Sequence, residues 1–287
     1  MDQLLVLQVF CRVAECGSFS QAGKELSLAQ SAVSRGIARL EEKLGLRLFE
    51  RSTRRVALTM EGRAYLEQVQ EHVRGLEDAN LRASAGFSDL AGRVKVAAPG
   101  ALGRLLLLPE IVRMMKQFHG LVVDVSLADV RIDLAKGAFD FAIRVGQGGE
   151  SSFVERELGR SPQWLVAAPS LFAERAVPAS LADLRGFPAV LSGRALDIAK
   201  IGLDVRFVAD DLDAALSAAL AGLGVSVLPR WLVTNHVTEG HLVRLSAKAP
   251  MPSPPVVAVY PRRLRRVSRQ LLDRLEHHLA SVLERPS

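Results

Sequence analysis

The sequence is poor in cysteine and in aromatic residues, and it has no long apolar run. Its 287 residues include two cysteines, Cys11 and Cys16, too few for the disulfide framework of a small secreted domain. We predict two reduced, buried thiols in one helix, with redox sensing as the alternative. No apolar stretch approaches the roughly 20 residues that a membrane-spanning helix needs. The N-terminus also lacks the features of a signal peptide, so we expect a cytoplasmic protein without a membrane partner.

The composition that remains is that of an ordinary globular protein long enough for two or three domains. Hydrophobic residues make up 49% and charged residues 24%, and the net charge is +6. Between Arg35 and Arg63 eight Lys or Arg residues stand against four Glu. This local surplus permits a polyanionic partner without proving one. A second basic cluster, RRLRR at 262–266, could contact nucleic acid, but a solvated face at the start of the last helix is the interpretation we favour.

The first 45 residues predict three helices. Ser18 and Gln21 have the spacing of a capping box at the start of the second helix, where Ala22 and Gly23 are small enough for another helix to cross closely. A third helix is predicted by apolar residues that recur at helical spacing: Val33, Ile37, Leu40 and Leu44. Its outer face begins with Gln30, Ser31 and Ser34, and Gly36 lies in its middle, although these residues favour a helix little.

Two short helices joined by a tight turn, the second polar on its outer face, predict a helix-turn-helix. In that motif the N-terminal residues of the second helix meet base edges in the major groove. Short side chains let the backbone approach, Ser and Gln offer donors and acceptors, and Arg35 can reach guanine or phosphate. A DNA-binding surface therefore explains residues that a helix would otherwise avoid.

Residues 46–59, LRLFERSTRRVALT, predict a wing beside this helix. The two apolar segments can pair as a hairpin with STR at its tip. Arg51, Arg54 and Arg55 would then meet the phosphates or the minor groove. The alternative is a surface hairpin with ordinary solubilising charge.

A long helix is predicted after Thr59, which is placed to cap it. A heptad seam runs along this helix: Leu66, Val69, Val73, Leu76, Asn80 and Ala83. Such a seam suits dimerisation, and a buried Asn can fix its register. The alternative is a single helix packed on its own domain. Residues 86–92, GFSDLAG, have the composition of a hinge.

From Arg93 onward, short apolar strands alternate with helices. The candidate strands are residues 94–98, 122–127, 139–145, 164–168, 188–191, 205–208, 225–229 and 256–260, and the helices between them include 104–118 and 211–222. This alternation predicts an α/β fold with mainly parallel sheets. Ligands of such folds bind at the carboxyl ends of strands, at a switch point or between two lobes.

Residues 19–62, FSQAGKELSLAQSAVSRGIARLEEKLGLRLFERSTRRVALTMEG, resemble the DNA-binding region of the LysR-type transcriptional regulators. The segments IDLAKGAFDFAIRVG, LVAAPSLFA, LADLRG and DDLDAALSAALAGLGVSVLPRWLV are similar to the effector domain of that family, in the same order. The resemblance implies an N-terminal all-α winged helix-turn-helix and an α/β effector domain whose two lobes are like those of periplasmic binding proteins. It implies a DNA-binding domain at 1–58, a dimerising linker helix at 59–86, a hinge at 87–92 and a regulatory domain at 93–287. Lobe I would take about 93–161 and 266–287, and lobe II about 162–265.

The same resemblance implies a sequence-specific regulator that binds and bends promoter DNA as a dimer or tetramer. Its partners would be double-stranded promoter DNA, a small-molecule co-inducer held between the lobes, further copies of itself and RNA polymerase. Carried over by position, the DNA-binding residues are Gln30, Ser31, Ala32, Ser34, Arg35, Arg51, Thr53, Arg54 and Arg55.

Candidate effector contacts lie where strands are predicted to end. They are Gly100, Ala101, Leu102, Asp129, Arg131, Arg144, Pro162, Ser192 and Asp210. Structural roles stay open: Asp129 and Asp210 could cap helices, and Arg144 could pair with Asp129 or Asp140. Family members usually offer Ser or Thr in the loop that here reads AAPGALGR, which argues against a carboxylate held there by hydroxyl groups. Residues 191–211 are shorter than the corresponding family segment, so we expect lobe II to lack a hairpin.

No enzyme, cofactor or metal site is predicted. His72, His119, His236 and His241 have no metal-ligand company in the sequence, and His277 and His278 lie in the final amphipathic helix. A repressor fused to a biotin ligase would need a Gly- and Arg-rich adenylate loop, which we do not find. The lack of an export signal and the N-terminal motif argue against a solute-binding protein. A constitutive repressor that needs no ligand stays open.

Overall fold

The computed structural model describes residues 2–51, 56–84, 90–128, 139–146, 152–173, 177–178, 180, 182–192, 202–245 and 251–283. The chain divides into two compact units. The first is Met1–Arg93 with Phe118–Val122 and Ala135–Ala138, and the second is Val94–Gln117, Val123–Leu134 and Phe139–Ser287. Across the described ranges, every helix is too short or too polar to pass through a membrane.

The first unit is helical over residues 2–84 apart from one hairpin. Its elements are helices α1 (Gln3–Cys16), α2 (Phe19–Glu25) and α3 (Gln30–Leu44), strands β1 (Phe49–Arg51) and β2 (Val56–Leu58), and helix α4 (Met60–Ser84). The strands pair in antiparallel register from Phe49 opposite Leu58 to Arg51 opposite Val56. The predicted helices and the predicted hairpin are therefore present.

Local capping explains where the first two helices begin. Asp2 accepts a hydrogen bond from the Leu5 N–H at 2.7 Å, and Ser18 accepts one from the Gln21 N–H at 3.2 Å. The reciprocal hydrogen bond, from the Ser18 N–H to the Gln21 side-chain oxygen, is not found among the described residues, and the Gln21 amide nitrogen donates to Glu25 at 3.0 Å. One half of the predicted box is thus formed.

Aromatic rings hold the core of this unit together. Phe10 lies 5.5 Å from both Phe49 and Tyr65 by ring centroids, so one side chain joins α1, the hairpin and α4. The apolar face predicted for α3 packs into the same core through Val33, Ile37 and Leu40. Gly36 is buried as well, so it serves the close packing of α3 and not its outer face.

The predicted heptad seam of α4 divides into two halves. Thr59 caps the helix as predicted, accepting from the Gly62 N–H at 2.9 Å. Leu66 and Val73 are buried, at 9% and 4% exposure, within the unit to which the helix belongs. Leu76 is 51% exposed, and Asn80 and Ala83 are exposed too. The alternative of a helix packed on its own domain thus holds for the first half, and the second half presents its seam outward.

The second unit contains two mixed sheets and the helices that cover them. The first sheet comes from strands β3 (Gly92–Ala98), β4 (Leu121–Leu127), β5 (Phe141–Val145), β6 (Phe153–Arg160) and β12 (Pro255–Pro261), and the second from β7 (Gln163–Ala167), β8 (Pro188–Ser192), β9 (Asp204–Ala209), β10 (Val225–Pro229) and β11 (Val243–Arg244). Their orders are β4-β3-β5-β12-β6 and β11-β7-β10-β8-β9. The helices are α5 (Gly100–Leu102), α6 (Leu108–Gln117), α7 (Leu212–Leu220), α8 (Arg230–Thr238) and α9 (Arg266–Leu279).

The prediction of mainly parallel sheets was wrong. Strand β12 lies between β5 and β6 and is antiparallel to both, and β7 is antiparallel to β10 and β11. The parallel pairs include β3 with β5, β8 with β9, and β8 with β10. The physical reason is that the chain passes from the first sheet to the second after β6 and returns only with β12. Strands β6 and β11 were not predicted, since β6 (FVERELGR) has three consecutive charged residues and no apolar run, and β11 has two residues.

Helix α9 docks onto the first sheet through one apolar face and several ion pairs. Leu271, Leu272 and Leu275 are fully buried. Arg156 on β6 donates to Asp273 at 2.7 Å and also binds Glu276. The C-terminal helix is therefore fastened to the same sheet that receives the C-terminal strand β12.

Candidate functional site

The helix-turn-helix depends on a close backbone approach between α2 and the turn that follows it. The Leu28 N–H donates to the Gly23 carbonyl at 2.8 Å. A Cβ at position 23 would lie 2.7 Å from the Leu28 carbonyl oxygen, so only glycine fits without movement. Ser27 has φ of 55° in this turn, a conformation that few non-glycine residues adopt. The small residues predicted at 22 and 23 thus do permit the crossing.

The N-terminal half of α3 presents an exposed polar surface. Gln30, Ser31 and Arg35 are exposed, and Ala32 and Ser34 are half-buried beside them. The N-cap residue is Ala29, which makes no side-chain hydrogen bond, and the first turn has no acidic residue. No local side chain therefore neutralises the positive end of the helix dipole, which suits an anionic partner such as a phosphate.

The wing is tied to α3 by one carboxylate. Glu41 Oε1 accepts from the backbone N–H groups of Leu48 at 2.8 Å and Phe49 at 3.2 Å. Thr59 donates to the Arg47 carbonyl at 2.7 Å, which joins the two strands at the same open end of the hairpin. Of the predicted wing contacts, Thr53, Arg54 and Arg55 lie outside the residues that the structure describes, and so does the side chain of Arg51.

Most described effector candidates lie at carboxyl ends of strands, as predicted. Gly100 follows β3 and Arg144 is near the end of its parallel neighbour β5. In the second sheet Ser192 ends β8 opposite Ala209, the residue before Asp210, in the parallel strand β9. Asp129 and Arg131 lie outside the described residues.

Several of these residues have other roles or surroundings than predicted. Ala101 and Leu102 are buried, so their side chains face the protein interior. The cap of α7 is Asp211, which accepts from the Ala214 N–H at 2.8 Å, and not Asp210, which is exposed one residue earlier. The carbonyl of Pro162 accepts the Arg230 N–H at 2.8 Å where the chain enters the second sheet.

Asp140, considered as a partner for Arg144, is paired with Arg265. The two side chains approach to 2.8 Å, and both are largely buried. Asp140 also accepts from the Lys95 N–H at 2.8 Å. One arginine of the basic cluster 262–266 thus holds the first sheet together, whereas Arg262, Arg263 and Arg266 are exposed, as the solvated interpretation predicts.

The two lobes of the second unit are joined by an ion pair that sequence reasoning missed. Arg104 of lobe I binds Asp213, in the first turn of α7 of lobe II, and α5 contacts α7 beside them. Arg104 lies in a π-helical turn, Gly103–Leu107, a feature that is frequent at functional sites. The partners are 109 positions apart in the chain, so no local signal could have paired them.

His236 and His241, which were predicted to lack neighbouring metal ligands, lie beside each other and beside Glu239. One ring nitrogen of His236, one of His241 and a carboxylate oxygen of Glu239 all lie within 4.8 Å of one another. The prediction was wrong for these two residues because it considered neighbours in sequence without the turn that brings them together. A His-x-x-Glu-x-His spacing was the available signal.

Both cysteines are free thiols, as predicted, but they are half-buried. Burial raises the pKa of Cys16, and the nearby Glu25 carboxylate raises it further. A raised pKa lowers the thiolate fraction, which disfavours redox chemistry at Cys16.

Comparison with protein families assigns both units. The model described as "LysR substrate binding domain" matches residues 88–280, and the model "Bacterial regulatory helix-turn-helix protein, lysR family" matches residues 4–63. The chain belongs to the LysR family. This LysR-type protein is a DNA-binding transcriptional regulator with a helix-turn-helix and a two-lobed α/β effector-binding domain.

Relatives of the regulator match most of its length. CrgA of Neisseria meningitidis serogroup C, an HTH-type transcriptional regulator, is 31% identical over 84% of each chain. An uncharacterized HTH-type transcriptional regulator of Haemophilus influenzae is 28% identical over 92% of this chain and 95% of its own. The crystal structure of ArgP from Mycobacterium tuberculosis covers 98% of both chains with a TM-score of 0.70 at 19% identity, which shows a shared fold.

Proposed function

We propose that this LysR-type regulator reads promoter DNA through the exposed start of α3. The observation that carries the proposal is the uncapped N-terminus of α3, with Gln30, Ser31 and Arg35 exposed around it. Ala32 and Ser34 complete the base-reading set, since short side chains let the helix enter the major groove. Arg35 has the reach for a bidentate contact with guanine.

The wing supplies the second contact in this proposal. Arg51, Thr53, Arg54 and Arg55 follow one another through the hairpin that Glu41 ties to α3. A hairpin beside a recognition helix meets the phosphates or the adjacent minor groove, where Arg side chains bind well. These residues would add affinity that depends on salt.

We infer that the regulator acts as a homodimer or homotetramer. The domain boundaries proposed are 1–58 for DNA binding, 59–86 for the linker helix, 87–92 for the hinge and 93–287 for the regulatory domain. Leu76, Asn80 and Ala83 lie exposed along the second half of the linker helix, where Leu76 and Ala83 offer apolar surface to a second copy. Paired recognition helices would read an interrupted inverted repeat in promoter DNA, in the cytoplasm and beside RNA polymerase.

We further propose that a small-molecule co-inducer binds between the lobes. Gly100 and Arg144 at the edge of lobe I, with Ser192 and Asp210 at strand ends of lobe II, are its proposed contacts. Pro162 and the backbone of Ala101 and Leu102 would line the same region, together with Asp129 and Arg131. The Arg104–Asp213 ion pair joins the lobes at α5 and α7, so a ligand that changes the lobe arrangement would act against this pair.

A footprint of the full-length protein on the promoter region next to its own gene, across a salt series, tests the proposal. We expect a protected, interrupted palindrome. Arg35→Ala should weaken binding to that site by about 1–3 kcal/mol more than binding to random DNA, because a base contact is lost. Arg262→Ala is the control, since it removes the same charge from an exposed arginine near α9.

Arg54→Ala should mainly reduce the slope of binding affinity against salt, by about one phosphate contact. An unchanged slope would contradict the wing contact. Equal losses on specific and random DNA in Arg35→Ala would contradict the base-reading role.

A further inference from the structure

The end of helix α8 gathers two imidazoles and a carboxylate that the proposed DNA and effector sites do not use. His236 is in the last turn of α8, Glu239 is its C-cap residue, and His241 follows after Gly240. We call His236, Glu239 and His241 the histidine–glutamate cluster. One donor atom from each lies within 4.8 Å of the others. We propose that this cluster binds a divalent transition-metal ion of the zinc class.

One distance within the cluster already matches a tetrahedral site, and the other two are at most 4.8 Å. Two ligands bound to one zinc at about 2.0–2.1 Å are separated by about 3.4 Å. His241 Nδ1 and Glu239 Oε2 already lie 3.3 Å apart. Their side chains are 62% and 58% exposed, so a movement on the order of 1 Å that brings His236 into the same shell displaces no packed atoms.

His236 provides an independent reason for a ligand here. Its Nδ1 atom is buried and has no hydrogen-bond partner within the described part of the chain. A buried polar atom that makes no hydrogen bond carries a cost in stability. Where Nδ1 is the nitrogen that coordinates, its lone pair is donated to the ion and that cost is removed.

The backbone of the turn holds the three ligands in place before any ion binds. The Glu239 N–H donates to the Asn235 carbonyl at 2.8 Å, and the Leu242 N–H donates to the His236 carbonyl at 3.0 Å. Gly240 has φ of 77°, which reverses the chain so that the rings of His236 and His241 lie 6.2 Å apart by centroids. Leu242 is buried directly after the turn and anchors it. A site built on such a fixed turn binds with little loss of conformational freedom.

Charge favours a cation at this position. The cluster lies at the C-terminal end of α8, where the helix dipole is negative, and Glu239 adds a full negative charge. Two imidazoles and one carboxylate suit zinc and its neighbours in the transition series, whereas magnesium and calcium prefer oxygen ligands. The fourth position would be taken by water.

Zinc titration of the full-length protein without an affinity tag tests the site. The protein is first treated with EDTA and desalted, and binding is followed by competition with a chromophoric zinc chelator. We expect one zinc ion per chain with a dissociation constant in the micromolar range or tighter. Magnesium and calcium should not compete, and cobalt should give the visible absorption bands of a four-coordinate site.

Glu239→Gln and His241→Ala change exposed side chains, so both variants should fold, and each should bind zinc at least about tenfold more weakly. His119→Ala, which removes an exposed histidine from a turn elsewhere, should bind as the wild type does. His236→Gln serves as a third variant, checked for folding by thermal unfolding in EDTA. Equal zinc affinity in the wild type and His241→Ala, or displacement of zinc by magnesium, would overturn the proposal.

Discussion

Because Gly23 has no Cβ, the turn of the helix-turn-helix can pass close to α2 at this position. The position has no unusual backbone angle, but the Leu28 carbonyl oxygen occupies the space that a Cβ would need, 2.7 Å away. Val33 and the Gln30 N–H lie just beyond it, so an added methyl would press the turn away from α2. The geometry of the recognition helix therefore depends on a residue that contacts no DNA in the proposed complex.

Gly23→Ala should destabilise the protein by about 1–3 kcal/mol, because a backbone atom must move and cannot rotate away as a side chain could. Urea unfolding of the first unit, followed by the signal of its helices, would measure the loss. Gly75→Ala is the matched control, since Gly75 lies in α4 with no atom within 4 Å of its added Cβ. That change should stabilise by up to about 1 kcal/mol. Similar effects at both positions would contradict the close approach.

At the scale of elements, the wing and the recognition helix are coupled through Glu41. A single carboxylate oxygen accepts from two N–H groups where the chain leaves α3 and enters β1. Charge-assisted hydrogen bonds of this kind are stronger than neutral ones. The orientation of the wing beside the recognition helix is therefore set from α3.

Glu41→Ala should lower the free energy of unfolding by about 1–3 kcal/mol, since two N–H groups lose their acceptor. It should also weaken DNA binding, although Glu41 is negatively charged and its removal would otherwise favour binding to a polyanion. Glu42→Ala removes the same charge from an exposed neighbour and isolates that electrostatic gain. Tighter DNA binding by Glu41→Ala than by Glu42→Ala would refute the coupling.

Helices α6 and α9 meet at a carboxylate whose ionisation stabilises the fold. Glu110 is 8% exposed at its side chain and accepts from Arg113 Nε at 2.7 Å. The hydrogen bond from Arg113 lowers the pKa of Glu110, burial opposes this, and His278 and Arg274 lower it further. A lowered pKa means that the folded state favours the charged carboxylate.

The stabilisation from Glu110 is fully present above its unfolded pKa of about 4.5 and is lost as the pH falls through the lower folded value. Glu110→Gln should therefore lose less stability than the wild type between neutral pH and the acid range. Thermal unfolding at a series of pH values below and above 4.5 measures this difference. Glu67→Gln controls for the loss of one exposed carboxylate. Parallel pH profiles of the wild type and Glu110→Gln would rule out this role.

At the scale of the whole molecule, the Arg104–Asp213 ion pair joins a helical turn of lobe I to helix α7 of lobe II. The side chains are 48% and 34% exposed, so solvent screens the pair and its contribution to stability is small. The pair matters because it connects the two lobes at a point where no covalent segment of the chain passes between them. A screened contact of this kind can form and break as the lobe arrangement changes.

Arg104→Ala, Asp213→Asn and the double variant should show the same small loss of stability, since either single change removes the whole pair. A double-mutant cycle by chemical denaturation measures this coupling. The coupling energy between Arg104 and Asp213 should fall as salt is added, because the pair is exposed to solvent. Losses that add in the double variant would mean that the two side chains act independently.

The sequence alone determined the parts of this protein that depend on neighbours along the chain. The periodicity of α3, the caps at Ser18 and Thr59 and the hairpin after Gly45 are set by spacings of a few residues, and each is present. The apolar strands of the second unit were located for the same reason. The family motif adds the DNA-binding function to these local patterns.

The tertiary structure decided whatever depends on chain segments that meet only after folding. Arg104 finds Asp213 across the lobes, and Asp140 takes Arg265 as its partner. Strand β12 returns between β5 and β6, a position that a strand's own residues cannot specify. In each case the contact joins residues far apart in the chain. The local sequence pattern does not determine which distant residues meet, and only the packing of the fold selects one partner.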